Sequence, residues 1–218
     1  MNLKKAEPFR RQVNKSHYFN LQYDSKQRWI SYWYQISEVL NSKPKKVLEI
    51  GIGNKVVSDY LRKIGIKVTT CDFDKSLKPN IVADIRNLPF NTNNFDTILC
   101  AEVLEHIPFS DFEKAIGEIR RVTKKWAVIT LPHFSITDIY LGVKIIPFIP
   151  KREFSIKVGL PIEHKFLGEH YWEIGKKGYP LSKVARDIKS IGWRIDKQFF
   201  NPDNPFHYFF VLSDENQH

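Results

Sequence analysis

Short apolar runs and helical stripes alternate along the chain, and the clearest alternation opens at residue 47. Val47, Leu48 and Ile50 form an apolar run that stops at Gly51, as a strand covered on both faces requires. From Lys55 the spacing turns helical, with Val56, Tyr60, Leu61 and Ile64 on one side. Between the two, Gly51 and Gly53 allow a tight turn and a close approach of backbone to ligand. Strand, glycine turn and helix at the head of a series of βα units is the layout of a nucleotide-type pocket at the strand's carboxyl end.

The same pattern predicts the remaining elements. Trp29, Trp33, Ile36 and Leu40 recur at three- and four-residue steps and predict a helix over residues 25–40, capped by Asp24 or Ser25, with both tryptophans packed on the core. Residues 41–44 form a short linker into the core, where strands over 67–71 and 81–83 follow the first strand and helix. A polar loop around a small apolar plug (NLPFNTNNF) leads to a strand over 97–100, and residues 101–107 turn back over the pocket. Phe112, Ala115, Ile116, Ile119 and Val122 form one face of a helix over 112–122, followed by a strand over 127–131. Residues 133–180, the least regular part, are expected to form a lid and substrate-recognition segment. A helix over 181–191, ended by Gly192, precedes two β segments, 193–200 and 208–212, joined by the turn-rich NPDNP. Residues 213–218 read as a frayed tail.

Composition sets outer limits. With 218 residues and 42% hydrophobic content the chain is expected to form one domain over 1–218: an arm and helix (1–43), a cofactor core (44–132), the lid (133–180) and a closing helix and hairpin (181–213). Cys71 and Cys100 lie at the ends of predicted strands, far from any CxxC spacing, which points to a reducing, cytoplasmic setting. The opening MNLKKAEPFRRQ lacks an apolar h-region, and the longest apolar stretch, 139–150, is interrupted by Lys144 and Pro147, so neither a secretory signal nor a membrane span is expected. The formal charge of +10 is spread along the chain, with mild concentrations at Lys4, Lys5, Arg10, Arg11 and Lys15 and at Lys43, Lys45 and Lys46. Nucleic-acid binders concentrate such charge on one face or interleave it with stacking aromatics, so this charge reads as a solvated surface that attracts anionic substrates rather than nucleic acid. Composition leaves the oligomeric state open.

Acids around the glycine turn narrow the ligand. The GxxxxGK[ST] phosphate loop is absent, and the third glycine position of GxGxxG is Val56. Glu49 sits inside the turn, Asp72 closes the second strand where a carboxylate can accept both ribose hydroxyls, and Asp84 closes the third. Any one of these acids could equally be a helix cap or a solvated group. Three carboxylates without a phosphate clamp suit a ligand that has ribose and carries positive charge.

In order and spacing, VLEIGIGN, CDFD, ADIRNLPF and FDTILCAEVLEHI, covering about residues 45–132, resemble the class I S-adenosylmethionine-dependent methyltransferases, in particular the small-molecule "type 11" group. The resemblance implies an α/β, Rossmann-like, doubly wound, seven-stranded, mostly parallel sheet with an antiparallel C-terminal hairpin strand and helices on both faces. It implies S-adenosyl-L-methionine as cofactor. Glu49, Gly51 and Gly53 would surround its methionine part, Asp72 would hold the ribose, and Phe73 would pack on the adenine. Asp84 would bind the adenine amino group with Ile85 beside it, and Ala101 and Glu102 would lie near the cofactor. Asn54 departs from the pattern, standing where many relatives have a glycine or small residue.

The implied reaction is methyl transfer to an oxygen, nitrogen or carbon of a small molecule, in which the protein aligns the nucleophile and excludes water. Imidazole is the base best matched to neutral pH, and His133, after the fifth strand, and His170, in the lid, are the candidates; His106, in the family's LEH, reads as structural. His17, Tyr18, Tyr23, Tyr171 and Trp172 are the candidate substrate contacts, and no metal is expected. Two other readings use the same segment: an NAD-dependent oxidoreductase and an RNA-directed methyltransferase. Base methyltransferases acting on amino groups often carry Asn/Asp-Pro-Pro-aromatic after the fourth strand; AEVLEHIP stands there instead.

Overall fold

In a computed structural model, residues 14–135, 160–201 and 203–214 are described, together with the backbone of 137–143 and 152–158. Lys4, Lys5, Arg10 and Arg11, the middle of the expected lid (144–151) and the end of the tail (215–218) lie outside the described residues. The chain runs α1 (Lys26–Asn41), β1 (Lys46–Ile50), α2 (Val56–Lys63), β2 (Lys67–Asp72), β3 (Ile81–Val82), β4 (Phe95–Ala101), α3 (Phe112–Val122) and β5 (Thr123–Pro132). It continues through β6 (Thr137–Val143), β7 (Arg152–Val158), α4 (Leu181–Ser190), β8 (Trp193–Asn201) and β9 (Asn204–Asp214).

Seven strands form one sheet in the order β3-β2-β1-β4-β5-β9-β8. The first five are parallel, and β9 runs antiparallel to both β5 and β8. The expected doubly wound α/β fold with a C-terminal hairpin is therefore the fold of this chain. Strand alternation divides the core in two. Leu48, Ile50, Ile98, Cys100, Ala127, Ile129 and Phe210 join the inward faces of α3 and α4. Their neighbours Val47, Leu99, Val128 and Phe209 face the other way and pack on α1 and α2 with Tyr32, Val39, Val57 and Leu61. Both faces of the central strands are buried, which is why β1 and β4 read as mainly apolar runs.

The helices meet their expected positions with two corrections of facing. In α3 all five stripe residues are buried as the spacing predicts. In α2 the buried residues are Val57, Ser58 and Leu61, and Tyr60 and Ile64 are exposed; the helix begins at Val56, after a left-handed Lys55 (φ 67°) that rotates the first turn. In α1, Ser25 is the cap, accepting Arg28 N–H at 3.3 Å. Its inward face is Ser31, Tyr32, Gln35, Glu38 and Val39, while Trp29 and Trp33 are 53% and 62% exposed. The polar face is inward because it meets polar partners. Asn201 Nδ2 donates to Ser31 Oγ at 2.7 Å, and Glu38 pairs with Lys197 of β8.

The expected lid is more ordered than its composition predicts. β6 and β7 pair antiparallel in a separate two-stranded sheet, from Thr137↔Val158 to Val143↔Arg152. Residues 171–175 are then pinned to the core. Tyr171 N–H donates to Glu105 O (2.8 Å), Ile174 N–H to Pro132 O (3.0 Å), and Phe134 N–H to Ile174 O (2.8 Å). Trp172 is fully buried between Phe109 and Phe112, and its Nε1–H donates to Leu104 O at 3.2 Å. A segment with a tryptophan anchor is part of the folding unit rather than a flap laid over it. Trp172→Ala is expected to destabilise the protein by about 3–5 kcal/mol, as truncating a buried aromatic does, measured by denaturant unfolding. A loss under about 1 kcal/mol, the level of an exposed-site change, would contradict this placement.

Candidate functional site

One cavity of about 900 Å³, including its open mouth, lies at the carboxyl ends of β1, β2, β3 and β4 under the arm and α1. Its shape starts from the glycine turn. Gly51 sits at φ 78°, and a Cβ there would lie 2.2 Å from Val103 Cγ2, so no side chain fits between the turn and the loop after β4. Gly53, also left-handed at φ 43°, brings the turn against Tyr18 and Tyr23, each 3.5 Å from where a Cβ would stand. Asn54, the position that departs from the family pattern, ties the turn to the N-terminal region. Its Nδ2 donates to Asp24 Oδ1 (2.6 Å) and Tyr32 OH (3.0 Å).

Four acids from four strand ends line this cavity: Glu49, Asp72, Asp84 and Glu102. Asp72 is oriented by the backbone, accepting Ile52 N–H on Oδ2 and Asp74 N–H on Oδ1, both at 2.9 Å. Burial pushes its carboxyl up, and those donors pull it part of the way back. Glu49 is almost fully buried with no partner on Oε2, and burial drives its carboxyl up to about 8 against the opposing Ser58 hydroxyl and Arg62 charge. Asp84 behaves differently. Burial raises it, but Arg86 outweighs that with Nε at 3.0 Å from both oxygens and Nη2 at 2.6 Å, holding the carboxyl below its usual range. Glu102, left-handed at φ 53°, faces His207 Nε2 at 3.8 Å on one oxygen and has a buried, unpartnered Oε1.

All nine residues expected at the cofactor, Glu49, Gly51, Gly53, Asp72, Phe73, Asp84, Ile85, Ala101 and Glu102, line this one cavity. So do Tyr18 and Tyr23. His17 does not, but packs edge-on against both tyrosines at 5.5 and 5.1 Å.

The other candidates stand elsewhere. His133 is buried against Phe200 and Tyr208 at the end of β5, with Nδ1 3.2 Å from Phe134 O, and is not part of the cavity wall. His170 lies behind the wall, its Nδ1 2.9 Å from Glu173 Oε1. Tyr171 stacks on Phe166 at 4.5 Å, and Trp172 is in the core.

Five polar lining residues escaped the sequence reading as site residues: Arg28, Tyr32, Gln35, Asn54 and His106. Arg28, Tyr32 and Gln35 lie at four- and three-residue steps on α1, a stripe that becomes visible once the polar face of that helix is taken as the inward one. The Arg28 guanidinium stands 4.0 Å over the Tyr23 ring and donates to Tyr23 OH at 3.3 Å. His106 joins the wall from the turn after β4, and burial together with the neighbouring His170 pushes its imidazole down to about 4.

The sequence pattern of the family described as "Methyltransferase domain" matches residues 48–130, from the middle of β1 to the end of β5. A demethylmenaquinone methyltransferase from Corynebacterium urealyticum is 26% identical over 162 residues, 68% of this chain and 67% of that protein. A ubiquinone biosynthesis O-methyltransferase from Coxiella burnetii is 34% identical over 87 residues, and the match spans only 37% of that protein's length. Among solved structures, Burkholderia thailandensis 1,6-didemethyltoxoflavin-N1-methyltransferase, with its substrate and S-adenosylhomocysteine bound, superposes with a TM-score of 0.57 over 92% of this chain and 86% of that one, at 13% identity. That likeness establishes the fold. Among the described residues no helix is long and apolar enough to cross a membrane. The pattern of that family runs through the strands that build the cavity, so over residues 48–130 this chain is similar to a methyltransferase domain.

Proposed function

We propose that this chain binds S-adenosylmethionine in the cavity at the strand ends and transfers its methyl group to a small-molecule acceptor. The observation that carries the reading is the convergence of Glu49, Asp72, Asp84 and Glu102 on one cavity floored by a turn with no room for a side chain at Gly51. The residues fit the group. Asp72 is held by backbone donors on both oxygens and keeps lone pairs for ligand hydroxyls. Glu49 and Glu102 hold buried oxygens without hydrogen-bond partners, which a ligand cation would satisfy. Phe73 and Ile85 offer apolar surface for a flat ring.

When bound, S-adenosylmethionine supplies a methyl group made electrophilic by its cationic sulfur. What this chain contributes is placement and enclosure. Tyr18 and Tyr23, raised by burial and leaning over Gly53, remain neutral and cover the turn. Arg28, stacked on Tyr23, sets a fixed donor at the same wall. His17, Tyr18 and Tyr23 present aromatic edges on the more exposed side of the site, which suits a small ring-bearing acceptor. The relatives named for demethylmenaquinone and for ubiquinone biosynthesis support that acceptor class. Neither His133 nor His170 lines the cavity, so direct proton removal from the acceptor is assigned to neither.

Asp72→Ala is expected to weaken S-adenosylmethionine binding by about 2–3 kcal/mol, roughly 30- to 150-fold, through loss of charged hydrogen-bond acceptance. Calorimetry on material shown to be folded by circular dichroism checks this, and unchanged affinity would contradict the reading.

A second expectation concerns pH. Glu49 has its folded-state pKa raised from 4.5 to about 8, so between those values the native protein holds a proton that the unfolded chain has released, and stability falls as pH rises through the window. In ligand-free thermal melts the wild type should lose stability relative to Glu49→Gln across that window. A cation bound at the site favours the ionised carboxylate, so wild-type affinity for S-adenosylmethionine should rise over the same window relative to Glu49→Gln. Parallel melting and affinity curves for the two proteins would contradict the assignment.

A further inference from the structure

Behind the cavity wall, the turn after β4 meets the pinned segment of the former lid. Tyr171 N–H and Trp172 Nε1–H hold residues 171–172 against Glu105 O and Leu104 O, which sets His170 beside Glu105 and His106 although some sixty residues of chain separate them. Glu105 Oε1 lies 3.7 Å from His106 Nε2 and 4.0 Å from His170 Nε2, and the two imidazole rings are 5.0 Å apart. The Glu105 side chain is wholly buried, and neither of its oxygens accepts a hydrogen bond from another described residue. A buried carboxyl in that state either keeps its proton or takes a counter-charge.

Both imidazoles are oriented from their far side. His106 Nδ1 is 3.1 Å from Glu169 O, a carbonyl that can only accept, so this nitrogen carries the proton and Nε2 is turned toward Glu105. His170 Nδ1 is 2.9 Å from Glu173 Oε1, again an acceptor. A ring nitrogen from each histidine and a carboxylate oxygen lie within 4.8 Å of one another, and a carbonyl and a carboxylate hold the two Nδ1 atoms, as at an imidazole–carboxylate metal centre and its outer partners. A simple ion pair between Glu105 and a histidine accounts for one of these contacts. It gives no reason for two rings, each braced on Nδ1, to converge on one carboxylate.

We propose that Glu105, His106 and His170 bind a divalent transition-metal ion of the zinc type, contrary to the sequence expectation of no metal. Nitrogen-rich donor sets of this kind favour zinc and its neighbours over magnesium or calcium, which prefer all-oxygen ligands. Three protein ligands leave a coordination position open. Because His106 also lines the cavity, that position is available to an oxygen of a small molecule there. This second part rests on the methyl-transfer reading and makes the acceptor an oxygen-bearing compound; the metal site itself stands without it.

The test uses the full chain, free of any histidine tag, stripped with a chelator and titrated with Zn²⁺ against a competing chelator of known affinity. Co²⁺ substitution, followed by its visible absorption, gives an independent spectroscopic reading. One ion per chain is expected. His106→Ala, His170→Ala and Glu105→Gln should each weaken binding by more than about 100-fold, and Glu173→Gln by about 10- to 100-fold, the usual cost of removing an outer partner. His17→Ala removes an exposed imidazole outside the cluster and should bind like the wild type. Should Glu105→Gln fail to fold, the partly exposed His170 carries the test, and Zn²⁺ should raise the melting temperature of the wild type but not of His170→Ala. Less than one ion per chain, or equal affinity in wild type and His170→Ala, overturns the proposal. Separate titration with S-adenosylmethionine keeps the two readings apart: zinc binding without cofactor binding defeats the methyl-transfer reading alone, and the reverse defeats the metal site alone.

Discussion

Asp72 closes the carboxyl end of the sheet from inside. One of its oxygens takes the N–H of Ile52, in the glycine turn after β1, and the other takes the N–H of Asp74, in the turn after β2. The same carboxylate that presents lone pairs to the cavity therefore holds the backbone that shapes it. Burial disfavours its charge and the backbone donors restore part of it, so its ionised form depends on the turn being formed. Gly51 supplies the complementary constraint, since Val103 occupies the space where its side chain would stand. Together these contacts bring the ends of β1, β2 and β4 to a common rim, and every other feature of the site is built outward from it.

The N-terminal region completes the enclosure through polar contacts. Asn54 links the glycine turn to Asp24 and to Tyr32 of α1, and Arg28 braces Tyr23 over the opening. Hydrogen bonds of this kind contribute about 1 kcal/mol each, so they specify position more than they stabilise the fold. The opposite wall is firmer. Trp172 anchors the segment after β7 in the apolar core and thereby places His170 beside Glu105 and His106.

The parallel core was legible in the sequence because its strands are covered on both faces, so Val47–Ile50 and the run in β4 stand out as apolar blocks whatever packs on them. The cavity's acids were legible for a related reason: Asp72, Asp84 and Glu102 stand at or just past strand ends, Glu49 one residue before the end of β1, and strand ends in such a sheet share one rim. The inward face of α1 was not. Trp29 and Trp33 make the more apolar stripe, yet they lie outside, because Ser31, Gln35 and Glu38 are needed to meet Asn201, the cavity and Lys197. Polar satisfaction overrode the hydrophobic pattern there. His106 was visible as a residue but not as part of a cluster, since its neighbour His170 arrives only through the Trp172 anchor, a tertiary event that local spacing does not encode. Trp172 itself misled for the same reason: an aromatic in an irregular, proline-bearing stretch resembles a binding residue until its ring is seen between Phe109 and Phe112.

The carboxylates at the strand ends suit a ribose-bearing cation, not a dinucleotide phosphate. Calorimetric titration of the folded chain with S-adenosylmethionine and, in parallel, with NADH tests this most directly. Saturable one-to-one binding of S-adenosylmethionine is expected, with no measurable heat of binding with NADH. Binding of NADH with no response to S-adenosylmethionine would contradict it.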